Sequence, residues 1–200
     1  MKKLMILAVM AIASLTANAQ QEVGTISVTP KVGFNLATVT DADDASFKFG
    51  LVAGADVNYQ VAEKFAVSAG LFYSMQGAKA KEKVNGVSYT EKYNLDYINI
   101  PILAQYYVIP GLAIKAGLQP AFNVKHKYKI ESHGDSYEGD IDHFKGFDLA
   151  IPIGVSYQFS DFVVDARYNF GLTKLWDVEG SSSKNSVIQF TFGYIIPFGK

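Results

Sequence analysis

The sequence predicts an all-β chain, an eight-stranded antiparallel up-and-down transmembrane β-barrel, and three observations carry that reading. The first is a two-residue period of apolar side chains. It is clearest at Ile188, Phe190, Phe192, Tyr194, Ile196 and Phe198, with Gln189, Thr191 and Gly193 between them. Successive side chains of a strand point to opposite faces, so such a segment has one apolar face and one small or polar face. The second is an alternation of short and long connections, which outer-membrane barrels show as tight periplasmic turns and longer outer loops. The third is an export signal: Lys2 and Lys3, an apolar run from Leu4 to Leu15, and an A-x-A cleavage site at Ala17-Asn18-Ala19. That run is shorter than the ~20 residues a spanning helix requires. Residues 1–19 are expected to be a signal peptide and residues 20–200 a single barrel domain.

The elements follow in order. Lys31-Val32-Gly33-Phe34-Asn35-Leu36 opens the wall, with Lys31, Gly33 and Asn35 on the inner face. Next, Phe47, Phe49, Leu51, Val57, Tyr59 and Val61 face outward, while Lys48, Asp56, Asn58 and Gln60 face inward. After the turn at Ala62-Glu63-Lys64, Phe65, Val67, Leu71, Tyr73 and Met75 point out, and Ser68, Phe72, Ser74 and Gln76 point in. Asn85-Gly86 is the strongest two-residue hairpin signal and sets Val84 opposite Val87. Carried down the ladder, that register pairs Tyr73 with Ile98, Leu71 with Ile100, Ala69 with Ile102 and Phe65 with Tyr106. The alternation of the two strands independently puts every one of these residues on the outer face, and a one-residue slip would have reversed every side chain. The same register extends a hairpin beyond the bilayer, carrying Lys79, Lys81, Lys83 and Lys92.

Tyr97 to Leu118 is apolar enough to suggest a helix, but Pro101, Pro110 and Gly111 would break one. With period two it becomes two strands joined at Ile109-Pro110-Gly111, placing Asn99 and Gln105, then Lys115, Gly117, Gln119 and Asn123, inside. Two further strands, at 147–159 and 162–173, meet at Ser160-Asp161 and turn Asp148, Asp165, Arg167 and Asn169 inward. The C-terminal segment is the eighth. Pro101, Pro120 and Pro152 fall inside these strands, where the missing N–H removes a ladder bond; β-bulges could absorb them, at positions the sequence does not fix.

A soluble lipocalin-like barrel is the alternative, but it would expose a nearly continuous apolar band far larger than a soluble monomer tolerates. Lipid as the outer solvent resolves this. Tyr59, Phe65, Tyr106, Phe159 and Phe162 then form an interfacial girdle on the turn side. The inner face carries an interior polar network of Lys31, Lys48, Asp56, Lys115, Asp148, Asp165 and Arg167, expected to pair internally. An eight-stranded interior is just wide enough to be filled by side chains, so Phe72, Leu103 and Tyr107 should help to plug it. The net charge of −1 offers no basic field for nucleic acid, and the absence of cysteine excludes disulfides and thiolate chemistry.

Lys31 to Leu36, Tyr97-Ile98-Asn99-Ile100-Pro101-Ile102, Asp165-Ala166-Arg167-Tyr168 with Gly171-Leu172, and Phe192-Gly193-Tyr194 together resemble the PorT-like outer-membrane β-barrel family. The resemblance spans almost the whole mature chain. It implies an eight-stranded barrel in the outer membrane of a Gram-negative bacterium and, in some members, a link to protein secretion or gliding machinery. Asn99 stands where the family often has an acidic residue, and the chain ends Phe198-Gly199-Lys200 rather than in an aromatic.

Catalysis would need a base beside a nucleophile. The histidines, His126, His133 and His143, fall around the third outer loop with Ser132, Asp135, Ser136 and Glu138, in no recognised spacing. Asp41, Asp43 and Asp44 lack the glycine and closing glutamate of an EF-hand. A solvated loop is the expectation for both segments, with no enzyme activity, metal or cofactor. Expected partners are outer-membrane lipid and, through the outer loops, other envelope or secretion proteins, with the barrel a monomer. Two functional classes stay open: a barrel that anchors outer loops for partner interaction, and a small-solute transport or ligand-binding barrel. A lipid-modifying enzyme is a third, weaker alternative.

Overall fold

The computed structural model describes residues 21–40, 45–84, 87–132, 135–141, 144–176 and 182–199. The expected leader, the Asn85-Gly86 turn, Asp41 to Asp44, His133 and His143 lie outside the described residues. Antiparallel strands make up the described chain: β1 (Ile26–Val39), β2 (Ala45–Ala62) and β3 (Phe65–Val84) begin the wall. β4 (Val87–Asn99) and β5 (Ile102–Ile109) are one wall strand interrupted at Ile100-Pro101. β6 (Leu112–Ser132) follows, and β7 (Asp135–Asp140) folds back on its outer half. β8 (Phe147–Phe159), β9 (Phe162–Gly171) and β10 (Asn185–Tyr194) complete the wall, and β11 (Ile196–Gly199) continues β10 past Ile195. β10 closes on β1, from Lys31 opposite Gly193 to Val39 opposite Asn185. Counting β4 with β5 and β10 with β11 gives a ring of eight wall strands and abolishes free wall edges.

The hairpin register holds from end to end. Val84 lies opposite Val87, Tyr73 opposite Ile98, Ala69 opposite Ile102 and Phe65 opposite Tyr106. Leu71 and Ile100, expected as partners, fall in a gap instead, because Pro101 interrupts the strand. There the Pro101 carbonyl accepts the Gly70 N–H at 2.9 Å, and the Ile100 N–H donates to Pro120 O at 2.8 Å. A second gap lies beside Pro152: the β6–β8 ladder runs from Ala116 opposite Ile153 to Gln119 opposite Ala150 on one unchanged register. Pro120 keeps its place opposite Leu149. Pro101 and Pro152 are thus absorbed by gaps in the ladder, not by bulges, and Pro120 stays in register. Bulges fall elsewhere, between Phe47 and Val52 in β2–β3 and between Asp96 and Tyr97 in β4–β6.

Burial alternates with the strand period, inverted relative to a soluble protein. Val32, Leu51, Leu71, Ile102 and Phe192 are exposed, whereas Lys31, Asp56, Gln105, Lys115 and Arg167 are buried with Phe72, Leu103 and Tyr107. An exposed apolar band with charge inside is stable only if the outer solvent is apolar. Tyr59, Phe65, Tyr106 and Phe162 are exposed on the turn side, and the Phe162 ring stacks on Phe192 with centroids 5.4 Å apart. The tight turns Glu63-Lys64, Pro110-Gly111 and Ser160-Asp161 gather at that end with the start of β1, where the Gly24 N–H donates to Gln60 O at 2.8 Å. At the opposite end β3, β4, β6 and β7 rise past the other walls as an extension.

Candidate functional site

The lumen is the first region that residue chemistry singles out. Asp165 on β9 takes Lys115 Nζ from β6 at 2.7 Å, Arg167 Nε at 3.0 Å and Lys31 Nζ from β1 at 3.7 Å. Lys31 Nζ also meets Asp56 Oδ2 of β2 at 2.6 Å. These groups come from walls on different sides of the ring, so the pairs bridge the barrel rather than line a channel. The Arg167 guanidinium carbon sits 5.8 Å from the centre of the Phe72 ring.

Five of the seven inner charges thus meet in one cluster, and two do not. Lys48 donates to the Gln76 carbonyl at 2.7 Å. Asp148 accepts from Asn185 Nδ2 at 2.7 Å and from the Thr173 hydroxyl, and Asn185 Nδ2 also donates to the Tyr97 hydroxyl oxygen at 3.1 Å. Both lie nearer the outer mouth than the five-residue cluster, because alternation assigns a face but not a height.

Each end of the lumen is closed differently. At the outer mouth Leu95, Tyr97, Ala121 and Leu175 form an apolar core, with Val39, Ile141, Phe144 and Trp176 packed against it. Leu175 arrives on the chain after β9 and is tied there, donating its N–H to Ser183 O at 3.0 Å and accepting from Lys145 N at 2.8 Å. Toward the turn side Thr29, Gln60, Gln105, Lys115 and Gln158 line a polar cavity of about 30 Å³. That is room for one or two waters and for no larger solute.

The extension is the second region, and its two faces differ. Glu91 and Tyr93 of β4, Tyr128 and Ile130 of β6, and Asp140 and Ile141 border a cleft of about 390 Å³ above the mouth. The Tyr128 ring occupies the space a side chain at Gly139 would need, 2.7 Å from an ideal Cβ, and packs 6.0 Å from the Tyr137 ring. On the opposite face Lys127 Nζ meets Glu138 Oε1 at 2.8 Å. The hydrogen bond and then the charge of Lys127 lower the Glu138 pKa, and the same contact raises that of Lys127. A solvated loop was expected here; the structure shows a β6–β7 hairpin instead. Its signal is present in the sequence, since Lys125, Lys127 and Lys129 alternate with His126, Tyr128 and Ile130.

His126 stacks on Phe144 with centroids 5.6 Å apart, and its Nδ1 lies 2.9 Å from Asn123 Oδ1. Both contacts fit an aromatic role at the mouth. Among the described residues no cluster of three or more His, Cys, Asp or Glu could hold a metal ion.

Solved structures share this architecture. Ail, the attachment invasion locus protein of Yersinia pestis, solved in complex with the heparin analogue sucrose octasulfate, aligns over 88% of this chain and 100% of its own at 17% identity, TM-score 0.50. Neisserial surface protein A aligns over 84% of this chain and 96% of its own at 12% identity, TM-score 0.46. OprG from Pseudomonas aeruginosa aligns over 88% and 98% at 13% identity, TM-score 0.38. No curated protein matches the sequence. The family model described as outer membrane protein beta-barrel domain matches residues 18–177, and the chain belongs to that family.

Proposed function

We propose that this protein is a non-enzymatic monomer whose plugged barrel anchors the outer extension as a surface for partner interaction, in a role accessory to protein secretion or envelope assembly. The observation that carries the reading is the contrast between a lumen crossed by ion pairs and a tyrosine face on the extension, where Tyr137 is exposed and Tyr93 and Tyr128 are half-buried. Tyrosine supplies a large, stiff contact area with a polar tip at low entropic cost, which suits recognition. A sheet extension also holds those rings on a rigid frame. Kinship with PorT-like barrels is part of this proposal and rests on the segments around Lys31, Tyr97 and Asp165. Residues 1–19 serve in this reading as the export signal.

The test is recovery of envelope proteins from intact outer membranes with affinity-tagged protein and a Tyr93→Ala, Tyr128→Ala, Tyr137→Ala variant. The variant should insert and shift on heating as before, yet lose partner recovery. Unchanged recovery from a well-inserted variant would overturn the reading.

A further inference from the structure

The cleft above the mouth is built from groups of one chemical kind. Alternation turns Glu91 and Tyr93 of β4 and Tyr128 and Ile130 of β6 to the same face of the extension, and the register sets Tyr93 opposite Tyr128 and Glu91 opposite Ile130. These four, with Asp140 and Ile141, border the space of about 390 Å³, within the ~300–1,000 Å³ of ordinary ligand pockets. Lys92, Lys127 and Lys129 alternate with them and therefore stand on the opposite face. No lysine or arginine borders the cleft among the described residues.

The walls are held in place from behind. The Tyr128 ring lies where a side chain at Gly139 would collide with it and packs on Tyr137. Tyr93 donates its hydroxyl to Glu91 Oε2 at 3.2 Å. A neutral phenol orients a carboxylate without cancelling its charge. Asp140 stands opposite Lys127 and shares its charge with that lysine, so Glu91 is the group that sets the sign of the cleft.

The complement of such a surface is a cation on an apolar stem. Ile130, Ile141 and the bodies of the tyrosine rings cover methylene groups, ring faces attract an ammonium or guanidinium, and a carboxylate completes a charge-assisted hydrogen bond. A bare metal ion would need several ligands at once, and no cluster of three or more His, Cys, Asp or Glu offers them among the described residues. A small solute gains no passage here, because Leu95, Tyr97 and Leu175 fill the mouth below. A side chain carried on another backbone needs none.

We propose that the cleft receives a lysine or arginine side chain presented by a partner polypeptide. The inference rests on the reading of the extension as a partner surface and names what the partner brings to it. The cationic head lies against Tyr93 and Tyr128 with Glu91 as its counter-charge, and the stem runs along Ile130.

The test titrates the full-length refolded protein in detergent micelles, its tyrosines isotope-labelled for NMR. The probes are the end-blocked peptide Gly-Ser-Arg-Ser-Gly, the same peptide with citrulline, a neutral isostere, in place of arginine, and maltotriose. The arginine peptide should shift the Tyr93 and Tyr128 resonances saturably, and the citrulline peptide should bind about tenfold more weakly. Glu91→Gln should weaken arginine binding about tenfold and Tyr128→Leu about threefold. Glu63→Gln, in a turn at the opposite end, should bind as the parent does, and heat-modified gel mobility verifies that each variant is folded. No saturable shift, equal binding of the two peptides, undiminished binding by Glu91→Gln, or binding of maltotriose at lower concentration would each overturn the proposal. The last result would assign the cleft to carbohydrate. Loss of partner recovery by the tyrosine variant without any preference for arginine overturns this inference alone. Arginine binding with partner recovery unchanged overturns the accessory reading and leaves the cation site standing.

Discussion

Replacing Asp165 by asparagine strikes the group on which the lumen cluster converges. Its carboxylate serves Lys115 at 2.7 Å, Arg167 at 3.0 Å and Lys31 at 3.7 Å, so an amide leaves three buried cations with Asp56 as the only carboxylate in the cluster. Removing one partner of a buried ion pair costs about 3–5 kcal/mol. Small folds are stable by only about 5–15 kcal/mol, so this is a large share of the whole. Arg167→Ala should cost less, about 1–3 kcal/mol. Asp165 then keeps both lysines, and the terminal guanidinium nitrogens that are lost have no hydrogen-bond partner among the described residues. Urea unfolding in phosphatidylcholine vesicles, with the folded fraction read from unboiled gel mobility, compares the two. Adding Lys115→Met to Asp165→Asn should restore part of the loss, because it withdraws an uncompensated buried charge. A loss below about 1 kcal/mol for Asp165→Asn, or no recovery in the double variant, would refute the argument.

Three further outcomes follow from the same geometry. The protein should give no sustained conductance in planar bilayers, since the lumen is bridged by ion pairs and its turn-side cavity measures about 30 Å³; reproducible openings would favour transport. Trypsin added to whole cells should cut in the β3–β4 hairpin near Lys79 and Lys92 and spare the wall, whereas protection of these sites would reverse the topology. The Glu138 carboxyl is held below its ordinary value by Lys127, so the contact is fully present above that value and is lost as pH falls through the lowered one. An NMR titration should place the Glu138 midpoint lower in the parent than in Lys127→Gln, and equal midpoints would contradict the pairing.

The wall was legible in the sequence because two independent signals agreed. Alternation sorted Phe47 to Val61 and Phe162 to Phe170 into faces, and the Asn85-Gly86 register matched Tyr73 to Ile98 and Phe65 to Tyr106. Height within the lumen was not legible, since a period of two says which way a side chain points but not which residues on other walls share its level. Lys48 and Asp148 consequently looked like members of the cluster and are bonded elsewhere. Composition also misled: charge and histidine between His126 and His143 suggested a loop, although the alternation there continues the β6 strand. The closure of the mouth by Leu175 and Trp176 depends on contacts between distant segments, which no local pattern encodes.

The central claim is that the apolar face of the wall meets lipid and the polar face is enclosed. The chain contains no cysteine, so single cysteines can be placed at residues 188, 189, 190, 191 and 192 of β10 and labelled with a polarity-sensitive fluorophore in vesicles containing brominated lipid. The account predicts a period of two, with bromine quenching at 188, 190 and 192 and neither quenching nor ready labelling at 189 and 191, where Gln189 and Thr191 are buried. Quenching with no alternation, or in the opposite phase, would contradict it.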